Sequence, residues 1–169
     1  MTPSLKSGVN RGVAAALGLV ASAAAVADRT PALALVNESP SLPRGVYLKR
    51  PGAEPEQGAV VAIPQPASAR AYLAALRMPP DVLLIKRVAA AGGDRVCRQE
   101  DRLVTPRRTV VVHERDRRGV GLPVWRGCRR LGPQELFLLG DTSSSFDSRY
   151  FGPVRLSQVT GVYREVLTW

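Results

Sequence analysis

Punctuation by glycine and proline constrains this chain first. The 169 residues include 15 Gly and 14 Pro, and beyond Asp28 these separate short apolar runs of strand character. The runs are 58–63 (GAVVAI), 82–90 (VLLIKRVAA), 109–114 (TVVVHE), 135–140 (ELFLLG) and 161–167 (GVYREVL), the last nearly alternating. One stretch, 67–77 (ASARAYLAALR), reads as a helix stopped by Pro79 and Pro80. The expectation is a mainly β chain with a short helix near 67–77. Aromatics are only 5%, so its modest core is built from Val, Leu, Ala and Ile.

One segment breaks this pattern. Residues 12–27 (GVAAALGLVASAAAVA) carry no charge, enough for a helix of about 24 Å. That is a little short of a ~30 Å hydrocarbon core, a shortfall that Arg11 and Arg29 could cover by snorkelling. Lys6 and Arg11 favour an uncleaved anchor with its N-terminus in the cytoplasm. Ala25-Val26-Ala27 instead resembles the cleavage site of a signal peptide. The expected organisation is a cytoplasmic tail at 1–11, an anchor at 12–28 and an exported domain at 29–169. Residues 94–130, Arg-rich and loop-like, read as an extension with a cysteine near each end. Export permits a disulfide, so Cys97 and Cys128 are expected to pair, contributing about 3–4 kcal/mol in the chain-entropy model.

The formal net charge is +10. Solvated surface is the ordinary reading of such a balance, and an anionic membrane surface the next. No zinc-finger, helix-turn-helix or aromatic-basic motif supports nucleic-acid binding. One His and two distant Cys argue against a metal site, and no cofactor is expected. Of the 24 basic residues only Lys6, Lys49 and Lys86 are lysines. Arg stays charged, whereas Lys can be tuned to release its proton.

Lys86 lies inside the apolar run 82–90. If Leu84 and Val88 face the core, so does Lys86, while Arg87 points the other way. Burial disfavours the ammonium, and a neutral amine can act as a base. The competing reading is a solvated strand face. Ser41 sits between Pro40 and Pro43 on a stiff, non-helical segment, as a nucleophile or as an ordinary loop serine. Residues 140–152 (GDTSSSFDSRYFG) crowd small hydroxyls and charges directly after an apolar run, as a polar network beside a site or as a long Asx/Ser turn. A Ser-His-Asp triad would have to use His113, which lies in an Arg-rich run. No Ser-x-x-Lys, G-x-S-x-G, P-loop or H-E-x-x-H motif occurs.

Taken in order, an apolar anchor, Ser-Leu-Pro, a strand carrying Lys86-Arg87-Val88, and Gly-Asp…Asp-Ser-Arg…Phe-Gly resemble the type I signal peptidase family, the Ser/Lys class. The run Pro40-Ser41-Leu42-Pro43-Arg44-Gly45-Val46-Tyr47 is similar to the signature of its conjugative-transfer, TraF-type branch. The resemblance implies a mostly antiparallel β fold that takes substrate as an added strand. It implies Ser41 as nucleophile, Lys86 as general base, and the Ser39 hydroxyl with the Ser41 N–H as oxyanion hole. It implies Ser145 as the residue orienting Lys86, although Ser143 and Ser144 compete for that role, with Asp141, Asp147 and Arg149 as loop supports. The implied substrate is a pilin or secretory precursor, cut after small residues at −1 and −3, at the bacterial inner membrane with the catalytic domain in the periplasm. A LexA-like self-cleaving repressor would need a DNA-binding domain where the apolar segment stands. A non-catalytic membrane-bound β scaffold of a conjugation or secretion machine is the other alternative.

Overall fold

The computed structural model describes residues 32–169. The expected tail at 1–11 and anchor at 12–28 lie outside them. Among the described residues no helix is long and apolar enough to cross a membrane.

The fold is mainly antiparallel β. A seven-stranded sheet is formed by β1 (Ala34–Asn37), β2 (Gly45–Lys49), β3 (Val60–Ile63), β4 (Leu84–Ala90), β9 (Glu135–Leu139), β10 (Val154–Arg155) and β11 (Gly161–Thr168). Its order is β1-β2-β11-β3-β4-β9-β10. The runs at 58–63, 82–90, 135–140 and 161–167 therefore become β3, β4, β9 and β11, within a residue or two of their expected ends.

Every residue of β3 is buried, because the sheet is covered on both faces at this strand. On one face Val61 and Ile63 pack with Leu84, Val88, Leu136 and Leu138. On the other, Val60 and Ala62 pack with Leu42, Tyr47, Ile85 and Tyr163. The helix Ala67–Ala75 lays Ala69 and Leu73 on the first face; burying a side chain such as Leu73 stabilises by roughly 1.5–3 kcal/mol. The helix is two residues shorter than expected, since Arg77 turns to a φ of 59°.

The loop-like reading of 94–130 is corrected. The segment holds a second sheet in the order β7-β6-β5-β8, made of β5 (Arg95–Gln99), β6 (Arg102–Val104), β7 (Thr109–Val111) and β8 (Cys128–Arg130). Its inward residues Val96 and Leu103 are fully buried with Phe137, Leu139 and Tyr150. Most of its arginines stay at the rim, with apolar stems over the sheet and charged heads in water, whereas the Arg98 side chain is only 7% exposed. Cys97 and Cys128 face each other in the β5–β8 register and form a disulfide.

That bridge closes a loop across 31 residues. Replacing both cysteines by serine is expected to cost about 3 kcal/mol, read as a lower denaturant midpoint at constant slope.

Candidate active site

Three segments converge at one end of the larger sheet. The first is the seven-residue connection 38–44 between β1 and β2. Asn37, the last residue of β1, organises it. Its side-chain amide donates to the carbonyls of Ser39, Leu42 and Pro43 at 3.0, 3.1 and 3.0 Å. Its Oδ1 accepts from the Ser39 N–H at 3.2 Å and from the Ser39 hydroxyl at 2.9 Å. Leu42 is buried in the core as an anchor, and the Tyr47 hydroxyl donates to Pro43 O at 2.7 Å. With Pro40 and Pro43 restricting φ, this turn has little freedom left.

The second segment is β4. It pairs with β3 through Val61↔Lys86 and with β9 from Arg87 onward, which places Lys86 in the interior of the sheet. Lys86 is 5% exposed and Ser41 6%. The amine Nζ lies 2.9 Å from Ser41 Oγ and donates to Ile85 O at 2.9 Å. Burial pulls the Lys86 pKa down from 10.5 to about 8, against the upward pull of Asp147 and with a smaller downward push from Arg149. The cause is desolvation of the ammonium. Arg87 points away and forms a half-exposed pair with Asp141, at 3.1 and 2.9 Å.

The third segment is the loop leaving β9. Asp147 and Arg149 are fully buried and form an ion pair at 2.7 Å. Asp147 also accepts from the N–H groups of Gly140 at 2.8 Å and Arg149 at 3.1 Å, capping the short helix Ser148–Phe151. The Arg149 guanidinium donates to the carbonyls of Thr142, Ser143 and Ser145 in the loop, and of Val111 in β7. A buried pair stabilises only when such remaining donors are satisfied, and here they are. Arg108 further donates to Gly140 O at 2.7 Å.

Loop and serine turn are joined directly, since Asp141 N donates to Ser41 O at 2.6 Å. The approach is so close that only glycine fits at 140. A Cβ there would lie 2.1 Å from Ser145 Oγ and 2.7 Å from Ser41 O.

Ser41, Lys86 and Ser39 are thus in contact, with Ser39 Oγ 2.8 Å from Ser41 Oγ. The contact expected between Ser145 and Lys86 is not made: Ser145 Oγ is buried beside them without a hydrogen-bond partner. Ser143 and Ser144 line the rim, where the Ser144 hydroxyl meets Thr142 at 3.5 Å. Asp141, Asp147 and Arg149 all brace the loop. Sequence reasoning missed Asn37, although an Asn opening a Ser/Pro turn is a recognisable Asx signal. It placed Arg87 on the face opposite Lys86 without foreseeing its pairing with Asp141, and it missed Arg108, which nothing distinguishes among the other arginines. A groove of about 1170 Å³ runs over the pair, walled by the β1 edge at Leu35–Asn37 and by Leu83 to Lys86.

A family model described as signal peptidase, peptidase S26, matches residues 9–169. A plasmid transfer protein TraF of Escherichia coli is 39% identical over 150 residues, which cover 80% of this chain and 84% of that protein. A second plasmid transfer protein TraF of Escherichia coli is 34% identical over 149 residues, 80% and 83% of the two chains. A signal peptidase I crystal structure from Enterococcus faecalis aligns with 65% of this chain and 97% of its own, at 22% identity and a TM-score of 0.39.

Two stability tests follow from the burial of Lys86 and the close approach at Gly140. In wild type the folded state binds fewer protons than the unfolded chain between pH 8 and 10.5, so stability rises with pH across that window. Below it the buried ammonium costs about 3 kcal/mol. Lys86→Met is therefore expected to stabilise by about 1–3 kcal/mol at pH 7, with the gap closing towards pH 10. Gly140→Ala is expected to destabilise by more than about 2 kcal/mol, because backbone as well as the Ser145 side chain must move; both variants are read by denaturant titration.

Proposed function

The chain belongs to the signal peptidase S26 family, and on that premise we propose that it is a membrane-anchored serine endopeptidase maturing an exported precursor of a conjugation system, by acyl-enzyme catalysis with Ser41 and Lys86. The observation that carries this reading is the 2.9 Å contact between the Lys86 amine, held near pKa 8 by burial, and the Ser41 hydroxyl.

At pH 7 about one Lys86 in ten is neutral. That form accepts the Ser41 proton as Oγ attacks the scissile carbonyl. The developing oxyanion is met by the Ser41 N–H and the Ser39 hydroxyl. The Ser39 proton rests on Asn37 Oδ1 and can turn to the oxyanion while the Ser39 N–H keeps hold of Asn37. Protonated Lys86 then gives its proton to the leaving amine. Water, or an incoming amine that would join two ends, takes up the acyl group. The Ser145 hydroxyl, close to the pair and without a partner of its own, would hold the amine once Ser41 has been acylated.

β1 is the edge strand of the sheet among the described residues, which supports entry of the substrate as an added strand. The membrane reading draws support from the β1–β2–β11 end. There Val36, Val46 and Leu167 lie in one register row and Leu48 beside Arg164 in the next. Val36, Leu48, Leu167 and Trp169 are all exposed, an apolar strip edged by arginine that suits a lipid interface. The TraF relatives are named for plasmid transfer, which motivates the conjugation setting.

Ser41→Ala and Lys86→Arg are both expected to abolish cleavage of a small-residue precursor in membranes, the second because a guanidinium stays charged. Wild-type kcat/KM is expected to rise about tenfold between pH 7 and 9 as Lys86 deprotonates. Wild-type cleavage by either variant would exclude the dyad, and absence of Ser41 labelling by a serine-directed probe would favour a non-catalytic scaffold.

A further inference from the structure

A second pocket, of about 620 Å³, opens beyond the serine loop and meets the first groove at Pro40 and at Ser144–Phe146. Its chemistry is unlike that of the first groove. Its floor is aromatic: Phe146 lies between Tyr72, at 4.7 Å, and Tyr150, stacked at 5.3 Å. Its rim comes from the Arg-rich extension and carries His113, Arg115, Arg117 and Arg118 against a single carboxylate, Asp116.

The rim is a built structure. Arg115 pairs with Gly121 as a β-bridge, and the intervening turn closes through Asp116 N to Val120 O at 2.8 Å. The Asp116 carboxylate accepts from the N–H groups of Arg118 and Val120 at 2.8 and 2.9 Å. The Tyr72 hydroxyl donates to it at 3.1 Å and so ties rim to floor. Asp116 also pairs with Arg118 at 3.3 Å. Arg115 and Arg117 are left without a carboxylate partner among the described residues, exposed above an apolar floor.

We propose that this pocket binds the leaving side of the substrate, the residues just after the scissile bond, and selects an acidic side chain there through Arg115 and Arg117. The proposal rests on the peptidase reading above. A chain paired to the β1 edge occupies the apolar groove up to Ser41. Continuing past Ser41 it must cross Pro40 and Ser144–Phe146, where the second pocket begins. An apolar residue can lie on the Tyr72–Phe146–Tyr150 floor while a nearby Glu or Asp reaches the guanidiniums of Arg117 and of Arg115, whose Nη1 also holds Gly119 O at 2.8 Å; guanidiniums bind carboxylates in a planar, two-pronged fashion. The same charge would draw acidic segments towards the dyad from solution.

The test uses full-length protein in neutral detergent and a peptide series with fixed small residues at −1 and −3. Glu, Gln or Lys is placed in turn at +1 to +4. Cleavage is expected to favour Glu over Gln at one of these positions by about five- to tenfold, with Lys worst. The preference is expected to shrink at high salt and to vanish in the double variant Arg115→Gln, Arg117→Gln. Peptide binding is measured in parallel on Ser41→Ala protein by fluorescence anisotropy. A Glu preference in binding without any cleavage by wild type would sink the peptidase reading and keep the pocket assignment. Cleavage by wild type with equal rates and equal binding for Glu and Gln would sink the pocket assignment alone. Arginine substitutions that alter only partition onto phosphatidylglycerol vesicles, with the peptides still indistinguishable, would make the pocket a lipid contact and overturn the proposal.

Discussion

The burial of one amine beside one hydroxyl is the constraint around which the remaining structure is arranged. A lysine in the interior of a seven-stranded sheet, 5% exposed, is not a stable choice at neutral pH. Desolvation penalises its charged form by about 3 kcal/mol, a sizeable part of the roughly 5–15 kcal/mol that holds a domain together. A leucine in the same place on β4 would pack without that penalty. The position makes sense as chemistry, where an uncharged amine in contact with a serine hydroxyl can move a proton.

Keeping the amine's pKa low is difficult beside a loop rich in charge. Asp147 and Asp141 both pull the Lys86 pKa up. The structure blunts each of them with an arginine. Asp147 is neutralised by Arg149 inside the protein, and Asp141 by Arg87 at its edge. Burial then remains the largest effect. The same two pairs shape the site, since Arg149 gathers the carbonyls of the 142–145 loop and Asp141 donates its backbone N–H to Ser41 O. One set of contacts therefore sets both geometry and basicity.

Much of this was legible in the residues. Apolar runs bounded by Gly and Pro marked β3, β4, β9 and β11, and period-two alternation put Lys86 on an inward face. Where polar side chains dominate a strand the signal disappears. The sequences RVCRQ and CRR of β5 and β8 look like loop, yet they pair because Val96 faces a core while Arg95, Arg129 and Arg130 stay wet. β1 and β2 were hidden for another reason: ALVN and GVYLK flank the serine turn, and the turn chemistry masked the short strands on either side. In the site, Ser41 and Lys86 were picked out by the family resemblance, while the residues alone left a loop serine and a solvated lysine open. Asn37 was not picked out, because its role is to hold three carbonyls of one turn, and that emerges only when the turn is folded.

Direct titration of the Lys86 amine tests the central claim most closely. The chain has three lysines, so protein labelled with 15N at lysine Nζ gives three resonances that Lys86→Met assigns. The Lys86 signal is expected to titrate near pH 8. A Lys86 resonance that stays that of an ammonium up to pH 10 would contradict it.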